Sequence, residues 1–294
     1  MWKVRYVDYT SSYMKLRDEF LTTIDQTLTK GDVMLRQQLI DFETNLANFV
    51  GTKYAVGTSN CTDALYLSLR AADIGPGDEV ITVSHTMVAT AAAIHHTGAT
   101  PILVDIGEDH NMDTSYVEHA ITDRTKAIMP VHLNGRVCDM QQLMAISEKF
   151  ELLLIEDSAQ ALGASLEGTK GGAFGLAGCF SFYPAKLLGG FGDGGAVVTN
   201  SEEFCERVKL LRNHGRMPDG DVSEWSFNCR LDNLHAAILD VKLKYLPKWI
   251  DRRREIACIY HEGLCELTEI HLPPPPSDDG AFYDVFQNYE IEAD

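Results

Sequence analysis

The sequence predicts an α/β domain with a mainly parallel central sheet covered by helices on both faces. Short apolar segments alternate with amphipathic ones: strands over Tyr54–Gly57, Glu79–Val83, Pro101–Val104, Lys126–His132, Glu151–Ile155, Gly178–Phe182 and Gly194–Val198, with helices over Thr62–Ala72, Val88–His96 and Met140–Lys149. The strands are near-continuous apolar runs, as sheets covered on both faces require. Ligands of such sheets bind beyond the carboxyl ends of the strands, so the loops that follow them are where chemistry is expected.

Ahead of the first strand, Leu16, Phe20, Ile24 and Leu28 recur every four residues and predict an amphipathic helix ending near Lys30 and Gly31. A second helix, Gln37–Val50, places Leu39, Phe42, Leu46, Phe49 and Val50 on one face and stops at Gly51. Residues 1–30 are therefore expected as a helical arm and residues 31–247 as the large domain. Beyond Gly195 the pattern turns helical, over Glu202–Arg212, Leu231–Leu246 and Lys248–Leu267, the last opened by Pro247. The run Pro273–Pro276 reads as an extended connector, and Tyr283–Ile291 as the first strand of a further unit. Residues 248–294 are thus expected to begin a small C-terminal domain that the chain does not complete.

A chain of 294 residues, 45% hydrophobic and 23% charged, has the composition of a globular protein with a sizeable core. Its 25 basic and 43 acidic residues give a net charge of −18, which argues against nucleic-acid binding and against anionic membrane surfaces. The seven cysteines are scattered, odd in number and without zinc-type spacing, as in a reduced compartment, and no metal site is expected. With no stretch of roughly 18 apolar residues and no signal-like N-terminus, a cytoplasmic location is expected.

The stretch Cys179–Asn200 holds one lysine, Lys186, followed by Gly189, Gly190, Gly192, Gly194 and Gly195. Glycines crowd where the backbone needs positive φ or a close approach. Three other segments follow strands or open helices. In SNCTDAL, residues 59–65, the amides of Cys61, Thr62 and Asp63 are placed to receive a phosphate at a helix N-terminus, although Thr62 or Ser59 is also an ordinary cap. In IEDSAQALGA, residues 155–164, Asp157 follows a strand and suits a cationic ring nitrogen, or again a helix cap. In WSFNCRLDNLHAAIL, Asn228 and Arg230 either cap a helix or reach an anion. Ser181 precedes Lys186 by five residues as a further phosphate ligand. A phosphate cradle, an acid for a ring nitrogen and a lysine able to form a Schiff base are together what pyridoxal phosphate asks of a protein.

The succession GTSNCTDAL, VSHTMVAT, GATPILVDI, PVHLNGRVCDM, IEDSAQALGA, FSFYPAKLLGGFGDGGAVVTN, RNHG and FNCRLDNLHAAIL resembles, in order, the DegT/DnrJ/EryC1/StrS family of sugar aminotransferases. The resemblance implies fold type I of the pyridoxal-phosphate enzymes, the aspartate-aminotransferase fold, and a homodimer with sites at the subunit interface. It implies transfer of an amino group, with glutamate as donor, to a keto sugar, taken as nucleotide-linked. It also implies roles: Lys186 as the covalent tether of the cofactor, Asp157 at the pyridine nitrogen, and Gln160 by the ring and its 3-hydroxyl. Ser181, Cys61 and Thr62 fall on the phosphate-binding positions, and Asn228 on the asparagine that reaches the phosphate from the partner subunit. Met87 stands where many relatives stack an aromatic residue over the cofactor, Cys61 replaces a glycine, and Arg36 stands where the early loop usually has glycine.

Four other readings compete. An inosose aminotransferase would share the donor chemistry and differ in the acceptor, and a noncatalytic regulatory relative would keep the fold. A dehydratase of the same fold is disfavoured because those relatives replace the lysine, commonly with histidine. A dinucleotide-binding oxidoreductase is disfavoured because no GxGxxG follows the first strand.

Overall fold

The structure, a computed structural model, describes residues 5–217, 219–278 and 280–293. Its centre is a seven-stranded sheet in the order β1 (Tyr54–Thr58), β9 (Gly195–Thr199), β8 (Ala177–Ser181), β5 (Leu153–Asp157), β4 (Thr125–Ile128), β2 (Glu79–Val83) and β3 (Thr100–Val104). The pairs among β8, β5, β4, β2 and β3 are parallel, whereas β9 runs antiparallel to both β1 and β8. The carboxyl ends of β1, β2, β5 and β8 therefore lie at one edge, together with the amino end of β9.

Apolar residues fill these strands because alternate side chains enter two different cores. Ala55, Ile81, Ile128, Leu154, Phe180 and Val198 join one buried cluster. Their neighbours Val56, Val80, Ala127, Ile155, Cys179 and Val197 join the other. The first cluster is completed by α3 (Gln37–Val50), α7 (Met140–Phe150) and α9 (Asn233–Leu243). The second is completed by α4 (Cys61–Ala71), α5 (Ala89–His96) and α8 (Glu202–Arg212). A short α6 (Thr114–Ala120) follows β3.

The arm is two helices, α1 (Tyr9–Lys15) and α2 (Arg17–Lys30), broken at Leu16, where a single one was expected. Asp8 caps the first through the amide of Ser11, and Gly31 closes the second in the left-handed conformation, as Gly51 closes α3. Phe20 packs on Ile238 and Val241 of α9 and edge-on against Phe191 in the loop after Lys186. The arm thus lies over the lysine loop.

Two strand expectations are corrected. Lys126–His132 stays a strand only to Ile128, and the chain then turns through a 3-10 segment at Leu133–Gly135. Tyr283–Ile291 is not a continuous strand. Phe282–Tyr283, β11, pairs with β6 (Ser165–Leu166), which also pairs with β7 (Thr169–Lys170). The chain then turns at Phe286, whose φ of 49° lies in the left-handed region. Near its end, β12 (Glu292–Ala293) pairs with β10 (Ile270–His271). Between α9 and that region runs α10 (Leu246–Leu264), with Pro247 in its first turn. Among the described residues, no helix is long and apolar enough to cross a membrane.

Candidate active site

Asp157 is the last residue of β5 and is buried, 5% exposed. Its Oδ2 accepts the hydroxyl of Thr90 at 2.8 Å, and its Oδ1 accepts the amide of Ala159 at 3.2 Å. Thr90 in turn shares a 2.9 Å bond with the hydroxyl of Thr86. Burial raises the Asp157 carboxyl above its usual range, while Thr90, Ala159 and the charge of Lys186 pull it down. The preceding residue, Glu156, points to the opposite face, as strand alternation demands. There it accepts the amides of Gly172, Phe174 and Gly175 and bonds to His132.

Lys186 lies in the loop between β8 and β9, partly buried, with its amide bonded to the Tyr183 carbonyl at 2.8 Å. Burial lowers the ammonium below the ordinary lysine value, against the charge of Asp157. None of the five glycines after Lys186 has positive φ. Gly189 and Gly190 serve close approach instead: a Cβ on Gly189 would lie 2.0 Å from the Pro184 oxygen, and one on Gly190 would lie 2.0 Å from His235 Nε2.

The third element is the start of α4. Asn60, rather than Thr62 or Ser59, is the cap: its Oδ1 accepts the amide of Asp63 and its carbonyl that of Ala64. This leaves the first two amides of the helix, those of Cys61 and Thr62, available to an anion. A Cβ on Gly195 would lie 2.4 Å from the Asn60 carbonyl and 2.6 Å from the Cys61 nitrogen, so this glycine lets the loop abut the helix start. Gly195 pairs with Ser181 across the β8–β9 ladder, which brings Ser181 to the same sheet edge as the start of α4, and the Ser181 hydroxyl accepts the amide of Tyr183 at 3.3 Å. Burial pushes the Cys61 thiol well above its usual range, leaving it neutral at physiological pH.

The remaining candidates divide. Gln160 accepts the amide of Asn134 through Oε1 at 2.8 Å, which holds its side chain at the turn after β4. Met87 is 65% exposed in the loop between β2 and α5, three residues before Thr90. Asn228 is exposed on the segment that bridges Asn213, and its neighbour Cys229 accepts the amide of Ser59, just ahead of α4, at 3.1 Å. Arg36 has φ −121°, so its position makes no demand for glycine. Thr90, Asn134 and the Glu156–His132 pair escaped the sequence reading. Thr90 had one available signal, its place at a second strand-to-helix junction beside Asp157.

A cleft of about 2070 Å³ opens beside Lys186, between the arm, α10 and residues 286–291. A separate groove of about 1040 Å³ between α3 and α8 contains none of the candidate residues.

The model of the DegT/DnrJ/EryC1/StrS aminotransferase family matches residues 14–293. The chain belongs to that family. Among its relatives, a "pleiotropic regulatory protein" of Geobacillus stearothermophilus is 39% identical over 99% of this chain and 78% of its own length. A dTDP-3-amino-3,4,6-trideoxy-α-D-glucose transaminase of Streptomyces venezuelae is 42% identical over 97% of this chain and 75% of its own. The crystal structure of S. venezuelae DesV in complex with a ketimine intermediate superposes with a TM-score of 0.95 at 41% identity, covering 100% of this chain and 78% of that one. The protein is accordingly a fold type I aminotransferase, and pyridoxal phosphate is the family's cofactor, found as pyridoxamine phosphate in solved members. The residues present in this member fit that group. Two unpaired helix amides and a hydroxyl suit a phosphate, Asp157 Oδ1 retains acceptor capacity for a ring N–H, and Lys186 has a desolvated amine.

Proposed function

We propose that the protein transfers an amino group from glutamate to the ketone of a nucleotide-linked sugar. The single observation that carries the reading is the convergence of Lys186, Asp157 and the start of α4 at one sheet edge in a chain of this family. The S. venezuelae transaminase supports a nucleotide sugar as substrate. The cleft supports an anionic one: besides Lys186, five basic residues (Lys15, Lys242, Lys248, Arg252, Arg253) and four acidic ones (Asp8, Asp251, Glu255, Glu290) line it. In the chain as a whole, 25 basic residues face 43 acidic ones.

When bound, pyridoxal phosphate supplies an electron sink for charge that develops at the donor's α-carbon. In our reading the amides of Cys61 and Thr62 and the hydroxyl of Ser181 bind its phosphate, and Met87 covers one face of the ring. Asp157, held by Thr90, keeps a cationic ring nitrogen protonated, and Gln160 orients the ring edge. Lys186 would be the tether, and its amine, lowered by burial and free once the donor has displaced it, would carry a proton from the donor's α-carbon to the cofactor and, in the second half of the cycle, from the cofactor to the acceptor carbon.

The protein is further proposed to work as a cytoplasmic homodimer, with a large domain over residues 31–247 between the arm and the segment 248–294. All seven cysteines are free, which supports a reducing compartment. Trp225, 98% exposed, together with Val222 and Met217, gives the segment that carries Asn228 an apolar face suited to a second copy. Asn228 would then reach the partner's phosphate. Mixing inactive Lys186→Ala and Asn228→Ala proteins tests this, because hybrid dimers recover one intact site; no recovery rejects the shared site.

The test of function is spectroscopic. Protein loaded with pyridoxal phosphate should show the visible band of a lysine-bound cofactor, lost in Lys186→Ala. Glutamate should bleach the band, and a nucleotide-linked keto sugar should restore it. The regulatory relative favours a second reading in which the cofactor is bound without turnover. A band indifferent to glutamate supports that reading, and restoration by inosose alone identifies a cyclitol acceptor.

A further inference from the structure

The C-terminal segment reaches the site at a residue that no motif marks. Gln287, 7% exposed, places Oε1 2.8 Å from the amide of Leu187 and Nε2 3.0 Å from the carbonyl of Ala185. One side-chain amide thus bonds the backbone on both sides of Lys186. The orientation of that amide is dictated, since an N–H must meet an acceptor and a carbonyl must meet a donor.

Gln287 is itself firmly held. Its carbonyl and that of Phe286 accept Arg253 Nη1 from α10 at 3.1 and 2.9 Å, and the amide of Val285 bonds to the Gly135 carbonyl at 2.8 Å. The left-handed turn at Phe286 aims the side chain, a conformation a bulky residue adopts only when its surroundings enforce it. The next residue, Asn288, donates from Nδ2 to Asn134 Oδ1 at 3.1 Å, and Asn134 donates its amide to Gln160. Two consecutive residues therefore brace two loops of the site, one carrying Lys186 and the other reaching Gln160.

We infer that Gln287 is a positioning residue that sets the direction and depth of the Lys186 amine, with Asn288 holding Gln160 in register with it. The inference rests on the reading of Lys186 as the cofactor's tether. Glutamine is required because the loop presents one donor and one acceptor. Leucine satisfies neither, and glutamate satisfies only Leu187 while setting a carboxylate against the Ala185 carbonyl.

The experiment uses the full-length protein, without and with pyridoxal phosphate, and the variants Gln287→Leu, Gln287→Glu and Lys186→Ala. In cofactor-free protein, hydrogen exchange reads the Leu187 amide, and amine labelling against pH, followed by mass spectrometry, reads Lys186. Leu187 should be protected in the wild type although it lies outside helix and strand. Gln287→Leu should speed its exchange by at least about tenfold while the central sheet stays protected, and should move the Lys186 labelling midpoint. Gln287→Glu should keep the Leu187 protection yet slow formation of the visible band. Wild-type protein with an unprotected Leu187, or folded Gln287→Leu with an unchanged Leu187 amide and Lys186 midpoint, overturns the inference even if Gln287→Leu proves unstable in other respects. A visible band that survives Lys186→Ala instead overturns the tether, a separate outcome.

Discussion

Glu156 Oε2 lies 2.8 Å from His132 Nε2, and neither side chain touches solvent. The amide of Cys138 donates to His132 Nδ1 at 3.2 Å, so that nitrogen carries no proton. The ring is therefore neutral and donates from Nε2 to the carboxylate, although the nearby Cys138 and Glu156 favour the cation. Glu156 receives this N–H and three backbone amides in all.

Replacing Glu156 by glutamine is therefore expected to destabilise the protein despite its matching shape. The new NH2 group must face backbone donors that previously met an oxygen. A loss of about 1–3 kcal/mol in urea unfolding is expected. A change within about 0.5 kcal/mol would show that the carboxylate is dispensable.

Thr90 bears on the chemistry through Asp157. Its hydroxyl lowers the Asp157 carboxyl, so Thr90→Val raises it, and as pH falls the carboxylate then takes up its proton at a higher pH. The acid limb of the activity profile should shift upward, with kcat/KM at neutral pH falling about tenfold, or roughly 1.4 kcal/mol. An unshifted acid limb would separate the two residues.

Lys186 gives the opposite limb. Its ammonium is lowered by burial, so the neutral amine becomes available as pH rises, before an ordinary lysine would titrate. The rate at which added pyridoxal phosphate develops its visible band should rise with pH and level off below the ordinary value of 10.5. In Asp157→Asn, which removes a charge that raises the amine, the midpoint should fall. Activity in that variant should drop by about 10²–10³-fold.

Gly195→Ala would drive a methyl group into the Asn60 carbonyl and the Cys61 nitrogen. The helix start must shift, so cofactor dissociation should accelerate by at least about tenfold while stability falls by about 1–3 kcal/mol. Equilibrium dialysis separates the two effects. Unchanged affinity would place the phosphate elsewhere.

The central sheet was legible because two flanking cores make its strands uniformly apolar, and Lys186 and Asp157 were legible because each follows such a strand. The direction of β9 was not. Apolar content is the same for either orientation, and only the short return after Lys186 hinted at a hairpin. Nor did the pattern show which of Glu156 and Asp157 lies on the Lys186 side of the sheet, since alternation separates them without choosing. Tyr283–Ile291 misled because its aromatic and branched residues suit a strand, whereas its polar ones, Gln287 and Asn288, are bonded to loops. Contacts between Gln287 and Leu187, a hundred positions apart, have no local signature.

The reversal of β9 carries a consequence for how this fold can diversify. Ser181 and Gly195 are rungs of one ladder, so the chain that carries Lys186 leaves the sheet and re-enters it beside its own exit. Its contour is closed, and beside Lys186 it is tight, with Gly189 and Gly190 already pressed against Pro184 and His235. An inserted or deleted residue beside those two glycines would displace Lys186 or slide the register of a strand buried on both faces. Length variation among descendants of this sequence should therefore fall in exposed stretches such as residues 219–223, while the path between Ser181 and Gly195 keeps a constant count.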